Sequence, residues 1–449
     1  VDQAEFDAIV EKIVQQMAYQ DVPGAAVAVV CGGELAFSAG IGVTAAGGSN
    51  PITPDTRFQW ASVSKMFTAA AGVALAEDGQ LDLHAPASTY VPYTNTSAPF
   101  GDEFTLHHLL SHTAGFATSW EDQSPYEIPG LFQEHPDEAL WAAPGAVFLY
   151  SNLGFALAGT ILQEATGQPF ADVVEDNIFA PAGMTGASLH PMDVVWQGNF
   201  AYGHTKNPSY SWQVPIPPNG AYYAMTAYLP MGGVWASVND MARWGLAHLE
   251  QNASVMSPAS WTALRAHHTE TRKAPAQYYG YGLYVDASAE QEMLHHNGSV
   301  SGFASNWVLI PDLGFGIFFV ANSDWYYPSY WLTDEAITTF SSGVTQVDLS
   351  SWMPDSTDWP DYVGTYQDDV ALGTVVIEEQ SGALYAKFTD LNSEQELIEG
   401  SCRGSFTLAD PILDYVTRVS FWKNPAQPDG PAQYLVTLRG VAIREASGE

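Results

Sequence analysis

Apolar residues at Phe6, Ile9, Val10, Ile13, Val14 and Met17 recur at helical spacing, so the pattern predicts an amphipathic helix over residues 4–20, ended by Pro23 and Gly24. Two apolar runs follow, at 25–31 and 34–40, separated by Gly32 and Gly33; they read as a β-hairpin. Residues 62–78 are rich in Ala, Met, Phe and Leu, and Gly79 supplies a stop, which predicts a buried helix beginning near Ser62. Between 106 and 265, helical runs alternate with Pro- and Gly-rich loops and imply a mainly helical lobe. A second pair of strand-like runs, 304–310 and 314–322, is followed by a helical pattern at 330–340. A helix and hairpin at one end and a hairpin and helix at the other imply one antiparallel sheet built from both ends of a first domain.

From 344 to 360 the composition turns to Ser, Asp, Pro and Trp, and beyond it short alternating runs such as 383–388 and 433–439 are split by Gly and Pro-Asp-Gly turns. The expected organisation is a domain at 1–345, a linker at 346–354 and an all-β module at 355–449. The fold class is α+β: an antiparallel sheet flanked by helices plus a mainly helical lobe, followed by a small β-barrel. Leu384, Ala386 and Phe388 share one face of a strand and fit a filled barrel interior as readily as a ligand cavity, with the filled interior the expectation.

Composition narrows the function. The 449 residues are 46% hydrophobic, enough for a large core, yet 14 Lys and Arg stand against 50 Asp and Glu, a formal charge of -36. That charge repels nucleic acid and anionic membranes over most of the surface. Cys31 and Cys402 are too few for a disulfide scaffold and lack metal-ligand spacing. No apolar run is long enough for a spanning helix. The chain starts at Val1 without Met, and export to a periplasmic or extracellular compartment is the expectation.

Three short motifs carry candidate chemistry. In Ser62-Val63-Ser64-Lys65 the two end residues lie three apart on a helix, with Cβ atoms about 5–6 Å apart, so the lysine can reach the serine hydroxyl. A serine is a weak nucleophile until a neighbour takes its proton, and a helix start favours negative charge on the attacking oxygen. In Tyr150-Ser151-Asn152 the tyrosine can serve as general base and the amide can position substrate. In His296-Asn297-Gly298-Ser299, ahead of a strand, Gly298 leaves room for close backbone approach. Read singly, each motif also fits a capping or core role. His107, His108, His112, His267 and His268 are read as capping or core residues, because no zinc-type ligand set accompanies them.

The order and spacing of S-x-x-K, Y-x-N and H-x-G resemble the penicillin-recognising serine hydrolases: class C β-lactamases, D-aminopeptidases, D,D-carboxypeptidases and esterases. Thr105 to Gly115 and Met231 to Ala242 are similar to that family as well, and Tyr362 to Tyr366 with Gly373 to Phe388 resemble the lipocalin-like barrel that some members carry. The resemblance implies an acylated Ser62, Lys65 as its proton partner, Tyr150 as base and acid, substrate contacts from Asn152, His296 and Gly298, and an oxyanion hole from the Ser62 and Ser299 N–H groups. It implies no cofactor and no metal. The partner is a small-molecule or peptide substrate, and a homo-oligomer is possible. The implied reaction is hydrolysis of an amide or ester, in a D-residue-containing peptide or a small ester, through a Ser62 acyl-enzyme. Acyl transfer or peptide cyclisation, penicillin sensing without turnover, and β-lactamase activity share the same residues. Class C β-lactamases carry Lys-Thr-Gly at the third motif; the His here is only partly charged near neutral pH, which argues against efficient β-lactam hydrolysis.

Overall fold

The computed structural model describes residues 2–94, 103–116, 140–206, 213–216, 228–326, 329–340, 343–368, 372–408, 418–437 and 440–445. Asn95-Thr96-Ser97, which fits a glycosylation pattern, and most of the aromatic-rich stretch 210–228, which by composition could line a pocket or simply pack, lie outside them. The chain divides into two compact units. The first comprises Val1–Leu83, Phe155–Ala266 and Gly280–Gln346; the second comprises His84–Gly154, His267–Tyr279 and Val347–Glu449.

In the first unit, α1 (Gln3–Gln20) opens on a capping box in which the Asp2 carboxylate accepts the Ala4 amide and Glu5 accepts that of Asp2. Such a cap stabilises by about 1 kcal/mol. The helix ends at Asp21 in a left-handed conformation, two residues before the proline that the pattern suggested. The hairpin β1 (Gly24–Cys31) and β2 (Glu34–Gly42) turns through Gly32 and Gly33, whose φ of 64° and 82° are what a two-residue primed turn needs. With β3 (Tyr284–Asp286), β4 (Met293–Val300), β5 (Phe303–Ile310) and β6 (Phe315–Ala321) they form an antiparallel array in the order β2-β1-β6-β5-β4-β3.

Every residue of β1 before Cys31, and all of β5 and β6, is buried, because helices cover both faces. Ala25, Val27 and Val29 join Phe6, Ile9, Ile13 and Met17 of α1 and Leu332, Ala336 and Phe340 of a helix at Ser329–Phe340. The other face meets the helix Val238–Glu250, which begins on a Ser237–Asp240 capping box and ends in a cage of Trp244, Trp261 and Trp307 around His248. In the aromatic stretch 278–284, which the sequence leaves open to lining a pocket or to packing, Tyr279, Tyr281 and Tyr284 are buried and Tyr278 is half-buried.

In the second unit, β7 (Gly364–Asp368), β8 (Gly373–Gln380), β9 (Ala383–Phe388), β10 (Ser393–Glu399), β11 (Ser405–Leu408), β12 (Arg418–Lys423), β13 (Ala432–Thr437) and β14 (Val441–Arg444) close into a barrel. Its interior is filled by Tyr366, Val375, Ile377, Leu384, Ala386, Phe388 and Phe421 among others. Among the described residues no helix is long and apolar enough to cross a membrane.

Buried imidazoles make the fold acid-sensitive. Burial pushes His248 well below its ordinary value, with Arg265 adding to it, and pushes His107 down to about 3, helped by His108, His268 and His84. Because these folded-state values lie below those of the unfolded chain, the unfolded state binds protons first as pH falls through about 6.5, and stability is lost at about 1.4 kcal/mol per pH unit for each such group. Replacing His248 by Phe is expected to flatten the dependence of unfolding free energy on pH between 6.5 and 4.5 by one group's share. Denaturant titrations with equal slopes for both proteins would contradict this.

Candidate active site

The nucleophile's geometry starts one residue upstream. Ala61 has φ of 48°, a left-handed conformation that costs a non-glycine residue roughly 1–2 kcal/mol. It is held there because Trp60 is pinned on every side: its N–H donates to Val234 O at 2.9 Å, its indole to Ala236 O at 2.9 Å, and its carbonyl accepts the Ser305 hydroxyl at 2.8 Å. The chain then makes a 3₁₀ turn, Ala61–Val63, before the helix Ser64–Glu77. Ser62 therefore sits on a tight turn leading into the helix, where the sequence pattern placed it on the helix itself.

The structure brings Ser62 and Lys65 together, with Lys65 Nζ donating to Ser62 Oγ at 3.2 Å. Lys65 is fully buried; its ammonium also donates to Met231 O at 2.9 Å and stands 5.6 Å from the Phe155 ring centre. The segment around Met231-Gly232-Gly233-Val234 acts as a bracket: Gln59 Nε2 donates to Gly232 O, Thr68 Oγ1 to Pro230 O, and the Val234 amide to Ser64 Oγ. Within that stretch the Met231 carbonyl holds the lysine, while its neighbours brace the turn and the helix.

The third motif lies on β4, which packs against the 3₁₀ turn. His296 and Gly298 face inward on the strand and Asn297 and Ser299 outward. His296 is 1% exposed, with Nδ1 2.6 Å from Asn297 O and its ring beside Tyr284. β3 pairs only with Met293–His295, so the β4 edge from Asn297 onward extends past β3. The space expected at Gly298 for substrate is taken up by the protein: a Cβ there would lie 2.3 Å from Trp60 O and 2.4 Å from Ser305 Oγ. Gly298→Val is expected to displace the Trp60–Ser62 backbone, lowering kcat at least about tenfold and stability by about 1–3 kcal/mol. Wild-type kcat and melting temperature in that variant would contradict the assignment.

Tyr150 and Asn152 belong to the second unit. Asn152 opens the helix Asn152–Thr166, and the Ser151 hydroxyl accepts the Gly154 amide at 3.1 Å. Tyr150 is held by groups that the three motifs do not contain. The buried His112 accepts the Ser151 amide at Nδ1, 3.0 Å, its carbonyl accepts the Leu149 amide, and its ring lies 4.3 Å from that of Tyr150. His112 is therefore a positioning residue for Tyr150, signalled in sequence only by its place in Ser111-His112-Thr113-Ala114-Gly115. Lys273 Nζ stands 5.6 Å over the Tyr150 ring and 5.2 Å over that of Phe148; no local pattern marks this lysine. His108 closes a capping box with Thr105, and His267 stacks on Tyr278.

The site thus presents a serine hydroxyl on a strained turn, bonded to a buried lysine and backed by a glycine-bearing strand. Residues 9–329 match the β-lactamase family, and the chain belongs to it. It is 28% identical over 333 residues to an unguisins hydrolase of Aspergillus campestris, covering 70% of this chain and 61% of that protein. It is 27% identical over 356 residues to a β-lactamase of Pseudomonas fluorescens, covering 71% and 93%. Among solved structures, the octameric penicillin-binding protein homologue from Pyrococcus abyssi superposes with a TM-score of 0.67 at 21% identity, over 98% of this chain and all of that one. SurE with D-Leu superposes at 0.70, again at 21% identity, over 99% of this chain and 100% of that one. The family is one of serine hydrolases, and the chain has its fold followed by a C-terminal barrel.

Proposed function

We propose that this protein cleaves an amide or ester bond, in a D-residue-containing peptide or a small ester, through an acyl-enzyme on Ser62. The observation that carries the reading is the Lys65 Nζ to Ser62 Oγ contact at 3.2 Å. In the proposed sequence Ser62 Oγ attacks the carbonyl carbon while its proton passes to a general base, the role the family resemblance gives to Lys65 and Tyr150. The Ser62 and Ser299 N–H groups take the charge on the tetrahedral oxygen. The base returns the proton to the leaving amine or alcohol as its bond to carbon breaks. Water then attacks the Ser62 ester by the same route and releases the acid. Asn152 and His296 hold the substrate.

His296 in place of a permanent cation weighs against efficient β-lactam turnover. The D-residue branch is favoured by the fold shared with SurE, whose structure holds D-Leu. Acyl transfer is a second reading, supported by a neighbour described as a hydrolase with promiscuous acyltransferase activity, at a TM-score of 0.63. The test is intact-protein mass spectrometry with chromophore release, using p-nitrophenyl acetate and butyrate, D- and L-alanine p-nitroanilides and a chromogenic cephalosporin. A Ser62 adduct with turnover of an ester or D-anilide supports the reading. Turnover of the cephalosporin alone, or no adduct with any of them, would overturn it.

A further inference from the structure

A cavity of about 360 Å³ lies within the second unit, and none of the proposed catalytic residues lines it. One wall is the loop of the short hairpin Thr269–Glu270 and Gln277–Tyr279, carrying Glu270 and Arg272. The others are Trp352 and Asp358, from the segment ahead of the barrel, the β10–β11 turn with Cys402 and Arg403, and Phe421 and Lys423 of β12. In a chain with only 14 Lys and Arg, three of them face this one space.

Two of the three are already neutralised: Arg403 is paired with Asp358, its Nη2 2.6 Å away, and Lys423 with Asp361 at 2.7 Å. Arg272 is different. Its nearest carboxylate, Glu270, is 3.8 Å from Nε, beyond hydrogen-bond reach, and that Nε is buried with no hydrogen-bond partner. The guanidinium lies over the Trp422 ring, its Cζ 4.5 Å from the ring centre. Its backbone, at φ of 51°, is tied to the β10–β11 turn, where Cys402 Sγ approaches Arg272 O at 3.1 Å and the Ser401 hydroxyl donates to Lys273 O. A buried guanidinium N–H without an acceptor is costly unless something supplies one.

We propose that this cavity binds a small organic carboxylate bearing an aromatic or branched apolar group. The carboxylate accepts from Arg272, and the apolar part rests against Trp352 and the stacked pair Tyr362 and Phe421, whose rings are 4.6 Å apart. Arg272, whose ion pair with Glu270 at 3.8 Å leaves its Nε without a hydrogen bond, suits a monoanion. A phosphate or other dianion would set its second charge against Glu270 and Asp358.

The test is calorimetric titration of the full chain, and of its Ser62→Ala variant, with N-acetylphenylalanine and with N-acetylphenylalanine amide. The acid is expected to bind one site on both proteins and the amide to give no saturable heat; retention in Ser62→Ala separates the cavity from hydrolysis. Arg272→Gln should weaken binding at least about tenfold, the scale of a lost charge-assisted hydrogen bond. Trp352→Ala, on another wall, should weaken it too and carries the test if Arg272→Gln does not fold. No saturable binding of the acid, as for a cavity filled by water alone, overturns the proposal. So does an unchanged Kd in a folded variant from either wall, or an amide that binds as tightly as the acid.

Discussion

Ser62→Ala is expected to form no covalent adduct with any ester or anilide of the panel, and turnover should fall by at least about 10³-fold. The substitution removes one oxygen atom from a turn whose shape is set elsewhere, by Trp60, Ser64 and the carbonyls around Met231, so the fold should survive it. Unchanged melting with abolished acylation would separate chemistry from structure. Normal turnover in the folded variant would place the nucleophile elsewhere.

Lys65→Met ranks second, with an expected loss of about 10²–10⁴ in kcat, the range for removing a general acid–base partner. Here the lysine also has a structural task. Its ammonium bonds Met231 O as well as Ser62 Oγ from a fully buried position, so methionine fills the volume but leaves that carbonyl short of a donor, at about 1–3 kcal/mol. The expected signature is a large drop in kcat, slower adduct formation on Ser62, and a modest fall in melting temperature. A variant that acylates at the wild-type rate would remove Lys65 from the proton path.

Much of this was legible in the chain. Periodicity located α1 within a residue of its ends, because its apolar face repeats at helical spacing and Asp2 and Glu5 can cap it locally. The hairpin at Gly32-Gly33 followed from residues that tolerate positive φ, and the inward face of the barrel from the alternation that puts Leu384, Ala386 and Phe388 together. Ser62 and Lys65 could be paired in sequence because three residues on a helix fix a distance. The family resemblance rested on the order of three motifs, and the match over residues 9–329 shows that family.

Other features needed contacts between residues far apart in the chain. The 3₁₀ turn at Ser62 exists because Ser305, Val234 and Ala236 bind Trp60 from remote segments, and propensity within 62–78 reads only as helix. Gly298 is small because the Trp60 carbonyl needs the room, a reason visible only once β4 meets that turn. His112 beneath Tyr150, and Lys273 above it, come from distant stretches with no shared period. The sequence by itself determined the elements and the chemistry available within one helical turn, because local spacing sets both. Tertiary structure alone decided which carbonyl aims Lys65, what Gly298 makes room for and where Arg272 lies without an acceptor, because each depends on atoms brought together only by folding.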